Sequence, residues 1–160
     1  MATSCTKSDS SESTAFDSLL QVLLSESVPL ITVDELSSIR QEVTILDARA
    51  PEEYNVSRIP GSVHAGYDEF NIAAIKHIPK DEQIVVYCSV GYRSEKIGEQ
   101  LLQAGYRNVK NLHGGIFAWV NQNRLIIDDY GETDRVHPYS LFWRVWITSD
   151  KITISRSPRK

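Results

Sequence analysis

One cysteine lies where the sequence could make a sulfur atom reactive. Cys88 follows the apolar, β-branched run at residues 84–86, which predicts a buried strand, and a helical pattern begins near Glu95. The cysteine therefore lies on a turn between the carboxyl end of a strand and the start of a helix. Because the first amides of a helix lack partners and the helix dipole is positive at that end, a thiolate at Cys88 would be stabilised.

The residues just after Cys88 strengthen this interpretation. Gly91 allows a tight turn that brings successive N–H groups inward, and Arg93 adds a permanent positive charge with forked donors. Together they predict a cradle for an anion around the sulfur. The alternative is that Cys88 is a structural cysteine packed in the core, which is common for a cysteine after an apolar run.

The length and composition of the chain are those of a single globular domain. It has 160 residues, of which 41% are hydrophobic and 24% charged, so it can bury a core without disulfides or metals. A net charge of -4 gives no electrostatic reason to expect nucleic acid as a partner. The two cysteines, Cys5 and Cys88, exclude a disulfide framework and favour a reducing compartment, for which we expect the cytoplasm. No run of 18 apolar residues is present to span a membrane.

Three segments follow from composition. Residues 1–14 are rich in serine and threonine without an apolar signal core, and we expect a flexible tail. Residues 15–124 form the domain, beginning with an amphipathic helix at 16–24. Residues 125–160 are an extension whose aromatic cluster, at 136–147, we expect to pack across the domain; a homodimer contact and a membrane-surface anchor are alternatives. The basic residues 155–160 are expected to be disordered.

Strand and helix patterns alternate along the domain. Apolar and β-branched runs at 43–46 and 84–86 predict strands, and 109–112 is predicted as a last short strand. Helices are predicted at 68–78 and after Cys88, which together with the strands indicates an α/β fold with a parallel sheet. Such sheets collect their ligand groups at the carboxyl ends of the strands. Asp47 and Arg49 lie at such an end. For Asp47 we favour a role in tying down a neighbouring loop, because a carboxylate would repel an anion.

Arg58 and the histidines carry less information. Arg58 could reach the anion site or be a solvated loop residue, and the sequence leaves both possibilities open. His64 alternates with apolar neighbours, which favours a packed histidine over a catalytic base. The four histidines show none of the close pairings that metal ligation needs, so no metal site is predicted.

Several of these motifs, taken in order, resemble a single-domain rhodanese across roughly residues 28–124. The motifs are Leu46-Asp47-Ala48-Arg49 with Pro51-Glu52-Glu53-Tyr54, Arg58-Ile59-Pro60-Gly61-Ser62, Val86-Tyr87-Cys88 with Gly91 and Arg93-Ser94, and Asn111-Leu112-His113-Gly114-Gly115 with Trp119. Arg58 stands where many relatives have histidine.

The resemblance implies a rhodanese-like fold, with a five-stranded parallel sheet and helices on both faces. It also implies a sulfurtransferase without a cofactor, in which Cys88 takes the outer sulfur of an anionic donor such as thiosulfate and becomes a persulfide. A thiophilic acceptor then removes that sulfur: cyanide in an assay, or a thiol such as glutathione or thioredoxin. We favour thiosulfate over 3-mercaptopyruvate, because mercaptopyruvate enzymes usually have two domains.

In this scheme Cys88 is the nucleophile, and the other loop residues bind substrate. The backbone amides that would surround the persulfide belong to Ser89, Val90, Gly91, Tyr92, Arg93 and Ser94. Arg93 would bind the donor or, alternatively, stabilise the loop by a hydrogen bond to a backbone carbonyl. The side chains of Ser89, Val90 and Tyr92 would shape the mouth of the pocket.

Three alternatives remain from the sequence. The loop resembles that of cysteine-based phosphatases and arsenate reductases. However, only four residues separate Cys88 from Arg93, whereas phosphatases have five between their cysteine and arginine, and the shorter ring should be too tight for phosphate. A rhodanese-like module could bind a partner or sense oxidation without significant turnover. Cys5, in the tail, could serve as a resolving thiol.

Overall fold

The computed structural model describes residues 9–159 of the chain. The helices are α1 Asp9–Leu23, α2 Val33–Ile39, α3 Pro51–Val56, α4 Tyr92–Gln103 and α5 Gly115–Asn121, with short 3₁₀ helices at Ile72–Ile75 and Trp143–Trp146. The strands are β1 Leu30–Ile31, β2 Thr44–Asp47, β3 Ser62–His64, β4 Gln83–Tyr87, β5 Asn108–Leu112, β6 Ile126–Asp128, β7 Gly131–Thr133, β8 Arg135–Val136 and β9 Thr153–Ile154.

The main sheet is five-stranded and entirely parallel. Its strand order is β1-β5-β4-β2-β3, so β4, which leads into Cys88, is the central strand. Because all five strands run the same way, their carboxyl ends meet at one edge. The predicted parallel sheet is confirmed, and Cys88 lies at the centre of the edge where such folds bind ligands.

Each face of the sheet carries its own hydrophobic cluster. Along β4, Val85 and Tyr87 face the cluster formed with α1, α2 and α5, whereas Ile84 and Val86 face the cluster formed with α4. Cys88 belongs to the α4 side. Burial on both faces explains why the strand reads as a continuous apolar run instead of alternating with polar residues.

Three helix predictions differ from the structure. Helix α1 begins at Asp9, so the last part of the predicted 1–14 tail is helical; residues 1–8 lie outside the described part of the chain. Helix α4 begins at Tyr92, before the predicted start near Glu95. The helix predicted at 68–78 is wrong: only a 3₁₀ turn forms at Ile72–Ile75, where the Asn71 side chain accepts the Ala73 amide at 2.9 Å. Such a side-chain bond competes with regular helix.

The C-terminal extension, residues 125–159 as described, packs on the domain as predicted. Ile126 and Val136 are buried in the core cluster that contains α1 and α5. The Trp146 ring stacks on Phe16 of α1, with ring centroids 5.5 Å apart. The prediction of disorder from residue 155 is wrong as far as 159, because the Arg159 guanidinium binds Asp128 at 2.6 and 2.7 Å.

Part of the aromatic segment stays exposed. Leu141 and Phe142 are exposed, and the homodimer contact considered for this segment stays a prediction.

Within residues 9–159, no helix is both long and apolar enough to cross a bilayer.

Gly115 is where α5 meets the loop after β4, and its substitution should be costly. A Cβ at Gly115 would lie 2.4 Å from the Cys88 carbonyl oxygen, at a residue with φ of 56°. We expect Gly115→Ala to lower the free energy of unfolding by about 3 kcal/mol or more in urea denaturation.

Gly105→Ala is the matched control. Gly105 also has a positive φ, of 91°, but a Cβ added there would meet nothing within 4 Å. Its substitution therefore measures the cost of backbone strain without a steric clash. Its expected loss is about 1–2 kcal/mol. Equal losses for both variants would contradict the close approach of α5 to the loop.

The contact between Trp146 and Phe16 should stabilise the docked extension. We expect Trp146→Ala to lower the free energy of unfolding by about 2 kcal/mol, because a partly buried ring is lost from the core. Phe142→Ala, which removes a ring that is 77% exposed, should change it by less than about 0.5 kcal/mol. A similar loss for both would mean that the extension is not held by this contact.

Candidate active site

The sulfur of Cys88 lies at the start of α4 and receives hydrogen bonds from the loop that follows it. The Gly91 amide donates to Sγ at 3.1 Å, and the Ser94 hydroxyl lies 3.5 Å from it. Gly91 has φ of 121° and caps α4, so a side chain there would strain the turn that aims its amide at the sulfur. The predicted placement of Cys88 between strand and helix is confirmed.

Helix α5 fixes the opposite side of the same loop. Its Ile116 amide donates to the Cys88 carbonyl at 2.9 Å, and its Phe117 amide donates to the Ser89 carbonyl at 3.1 Å. These bonds hold both carbonyl oxygens toward α5. The arrangement leaves the sulfur facing N–H and O–H donors at the other side of the loop, as an anion requires.

Ser94 and Asn111 form a polar pair beneath the sulfur. The Ser94 oxygen lies 2.7 Å from Asn111 Oδ1 and 3.1 Å from the Gly91 carbonyl, while Asn111 Nδ2 donates to that carbonyl at 2.9 Å. A hydroxyl carries one proton, so Ser94 can donate to one of these oxygens or to Sγ at a time. Charge on the sulfur makes it the stronger acceptor and would draw this proton toward it.

Arg93 is held by Glu53 and Ser89. Its Nη1 and Nη2 donate to the two Glu53 carboxylate oxygens at 2.7 and 2.9 Å, and Nη2 also lies 3.0 Å from Ser89 Oγ. Ser89 Oγ in turn donates to Glu53 at 3.0 Å. The alternative considered for Arg93, a bond to a backbone carbonyl, is not what the structure shows: both guanidinium nitrogens bind a carboxylate instead.

The Glu53–Arg93 pair is charged. Burial raises the pKa of Glu53, but the hydrogen bonds and charge of Arg93, with a contribution from Arg49, outweigh it and leave that pKa below its ordinary value. Burial likewise lowers the pKa of Arg93, and the Glu53 carboxylate outweighs it, so the guanidinium keeps its charge.

Asp47 and Arg49 form a second, fully buried pair at the end of β2. Arg49 Nη2 contacts Asp47 at 2.7 Å and the Ser57 carbonyl at 2.7 Å, and Asp47 also accepts the Arg49 amide at 2.9 Å. The Tyr87 hydroxyl donates to Asp47; burial and this carboxylate raise the pKa of Tyr87, which keeps the phenol protonated. Asp47 was predicted to tie down a neighbouring loop, and the structure shows its carboxylate binding the amide and the guanidinium of Arg49, in the loop that directly follows β2.

Arg58 and His64 lie in structural contacts. The Arg58 guanidinium binds Asp129 of the extension at 2.7 Å and lies over the Tyr54 ring at 4.7 Å. None of these contacts supports the substrate-binding role, which stays a prediction. His64 is half-buried, with Nε2 2.8 Å from the Arg49 carbonyl oxygen, as expected for a packed histidine.

The loop is nearly closed. Cys88 is 1% exposed, and Ser89 and Val90 are also buried, so of the predicted mouth residues only Tyr92, at 42%, faces solvent. Cavities of about 580, 570 and 470 Å³ elsewhere in the domain include no residue from 88–94 in their walls. Among the described residues, no group of three or more His, Cys, Asp or Glu side chains is arranged to hold a metal ion.

Two residues of this site were not predicted from the sequence. Glu53 was identified only as part of the motif Pro51-Glu52-Glu53-Tyr54, and Asn111 only as part of a predicted strand and the motif that continues from it. Asn111 lies two residues after Val109 in β5, so both side chains point to the same face of the strand. That position is the signal that could have identified Asn111, since a buried amide needs partners. For Glu53 no local signal exists, because its partner lies 40 residues away.

Comparisons with known proteins agree with this geometry. The family description "Rhodanese-like domain" matches residues 32–122. A protein named sulfurtransferase from Allochromatium vinosum is 35% identical over 91 residues, which are 57% of this chain and 84% of that protein. A protein from Lodderomyces elongisporus named adenylyltransferase and sulfurtransferase UBA4 is 30% identical over 102 residues, or 56% of this chain, but this chain spans only 22% of it.

A solved structure gives the same result. The crystal structure of a thiosulfate sulfurtransferase from Pseudomonas aeruginosa matches with a TM-score of 0.58 and 25% identity, covering 85% of this chain and 26% of that one. A family match over more than half of the chain, a relative covered along most of its length, and the strand-to-helix cysteine loop all agree, and the chain therefore belongs to the rhodanese-like domain family.

Proposed function

We propose that the protein is a sulfurtransferase that carries sulfane sulfur as a persulfide on Cys88, with thiosulfate as the donor. One observation carries the proposal: the Gly91 amide donates to Sγ at 3.1 Å, at the N-terminus of α4 and the carboxyl end of the central strand. A donor in that position stabilises negative charge on sulfur and costs nothing to reorganise during the reaction. The names of the relatives agree with this chemistry.

The first step is a displacement at sulfur. The Cys88 thiolate attacks the outer sulfur of thiosulfate, a new S–S bond forms, and the S–S bond of the donor breaks. The bonding electrons leave with sulfite. Negative charge moves from Sγ to the outer sulfur of the persulfide, so the amides after Cys88 bind the product anion as they bound the thiolate.

The charges of the site favour an anionic donor by a specific route. Arg49 and Arg93 are each paired with a carboxylate, Asp47 and Glu53, so neither arginine is free to attract an ion by itself. The positive end of α4 is the remaining attraction. Arg93 then acts by orienting Ser89 and the loop, and not by gripping the donor alone.

The second step returns Cys88 to its thiolate form. A thiolate or cyanide attacks the outer sulfur of the persulfide, the bond between that sulfur and Sγ breaks, and Sγ keeps the electron pair. The product is an acceptor persulfide or thiocyanate. The Ser94 hydroxyl, 3.5 Å from Sγ, is placed to donate a hydrogen bond to the thiolate as charge returns to the sulfur.

A second candidate function is a rhodanese-like module that binds a partner or responds to oxidation without significant turnover. The observation that favours it is the 1% exposure of Cys88, since a donor must reach a sulfur that is almost completely covered. The two functions differ in whether a small donor modifies Cys88.

Mass spectrometry after treatment with thiosulfate distinguishes them. We expect a gain of one sulfur atom on the peptide that contains Cys88, reversed by cyanide with release of thiocyanate, because the loop stabilises the persulfide anion. Cys88→Ser should remain unmodified. Cys5→Ser should behave as the wild type; loss of turnover there would instead assign Cys5 the role of a resolving thiol.

An unmodified Cys88 in folded wild-type protein would reject sulfur transfer from thiosulfate and favour the binding module. Repeating the treatment with 3-mercaptopyruvate separates a wrong donor from a wrong reaction. Sulfur gained from mercaptopyruvate alone would keep the persulfide mechanism and replace the donor.

Glu53→Gln tests the pair that orients the loop. The amide can accept only one of the two Arg93 bonds, and the loss of a charge-assisted hydrogen bond, worth about 1.5–3 kcal/mol, should slow sulfur transfer about tenfold or more. Glu52→Gln, at the exposed neighbour in α3, is the control and should keep the wild-type rate.

The same variant has a predictable pH dependence. Because the pKa of Glu53 is lowered from its ordinary value of 4.5, its carboxylate stabilises the fold at neutral pH, and this contribution is lost as the pH falls through the folded-state pKa. The stability deficit of Glu53→Gln, measured by denaturation, should therefore be full at pH 7 and shrink below about pH 4. A deficit that is constant with pH would contradict a charged Glu53.

A further inference from the structure

The C-terminal extension returns to the cysteine loop at Tyr139. The Tyr139 ring lies over the guanidinium of Arg93, with its centroid 4.7 Å from the central carbon of that group. Arg93 in turn contacts Ser89, the residue next to Cys88. A residue outside the matched family region, 32–122, therefore touches the loop that holds the sulfur.

The backbone of the extension holds Tyr139 in a defined position. Val136 is completely buried, and β8 pairs with β9 just before the turn. The ring Nδ1 of His137, a buried residue, accepts the Tyr139 amide at 3.0 Å, and Tyr139 has φ of 61°. A bulky residue adopts this conformation only where the surrounding contacts impose it, and such residues occur often at functional sites.

The packing around Cys88 shows which side can open. Below the loop lies Asn111, with Leu24 of the α1–β1 connection against Gly91; α5 occupies the side of the carbonyls, and Glu53 the side of Ser89. Of residues 88–94, only Tyr92 and Arg93 are not buried. A molecule that approaches the sulfur from solvent must therefore pass beside these two residues.

Tyr139 lies against Arg93, one of those two residues. Its side chain is half-exposed, and one face of its ring covers Arg93, which is otherwise fixed by Glu53 and Ser89. A molecule that passes beside Arg93 therefore also passes the ring of Tyr139.

We propose that Tyr139 determines the size of the molecule that reaches Cys88, admitting small sulfur donors and acceptors and excluding bulky ones. The consequence of this size limit for substrate choice rests on the proposed sulfur transfer. The effect of Tyr139 on access to the Cys88 thiol does not. The size limit belongs to this chain's extension and not to the loop itself.

Alkylation of Cys88 tests access without requiring turnover. The full chain is treated with iodoacetamide, which is small, or N-(1-pyrenyl)maleimide, which is bulky, and mass spectrometry follows the Cys88 peptide so that Cys5 does not interfere. We expect Tyr139→Ala to raise the rate with the pyrenyl reagent about tenfold, while the iodoacetamide rate changes less than about twofold. Tyr139→Phe, which keeps the ring, should match the wild type.

Two further variants guard against a general loosening of the fold. Tyr139→Asn removes the ring with a residue that tolerates positive φ, and should reproduce the Ala result. Tyr130→Ala removes another exposed ring of the extension, which lies beside Arg159 at 5.8 Å and away from the loop, and should leave both rates unchanged.

Equal acceleration of both reagents in the Tyr139 variants, or no acceleration of either, would overturn the proposal. In sulfur transfer, Tyr139→Ala should raise the rate with dihydrolipoamide relative to that with cyanide. Wild-type protein that takes up no sulfur would reject the proposed function while the alkylation ratio still decides the role of Tyr139. Wild-type protein that takes up sulfur, with an unchanged alkylation ratio, would reject the role of Tyr139 alone.

Discussion

The active-site loop depends on where its carbonyl groups point. Two amides of α5 bind the Cys88 and Ser89 carbonyls, and this fixes the first two peptide planes of the loop, which precede the Gly91 amide that faces the sulfur. The contact requires a residue without a Cβ at Gly115, because the α5 backbone passes within van der Waals distance of the loop. Helix α5 therefore holds in place the loop between β4 and α4, which carries Cys88.

The charged groups near the sulfur are balanced in pairs. Asp47 neutralises Arg49 inside the domain, and Glu53 neutralises Arg93 at the edge of the loop. Isolated buried charges would be costly, and pairing with hydrogen bonds on both partners removes much of that cost. The proposed attraction of an anionic donor therefore depends on backbone dipoles, which do not titrate.

The extension changes the character of the domain without changing the sheet. It contributes Val136 and Trp146 to the core on the α1 and α5 side, and it binds Arg58 through Asp129. Arg58 thus has a structural partner in the extension of this chain. The same extension reaches the cysteine loop through Tyr139, so that a segment outside the family region contributes to the surroundings of the sulfur.

The sequence by itself determined the parallel sheet, the buried strand before Cys88 and the helix after it, because these depend on local periodicity and on glycine at a tight turn. It also indicated that Asp47 would tie down a neighbouring loop, and the structure shows that the partner is Arg49, two residues away. Only the tertiary structure decided that Glu53 holds Arg93, that Asn111 supports Ser94 and that Tyr139 covers Arg93. These contacts join residues far apart in the chain, and no local pattern records which distant side chains the packing of sheet, helices and extension brings together.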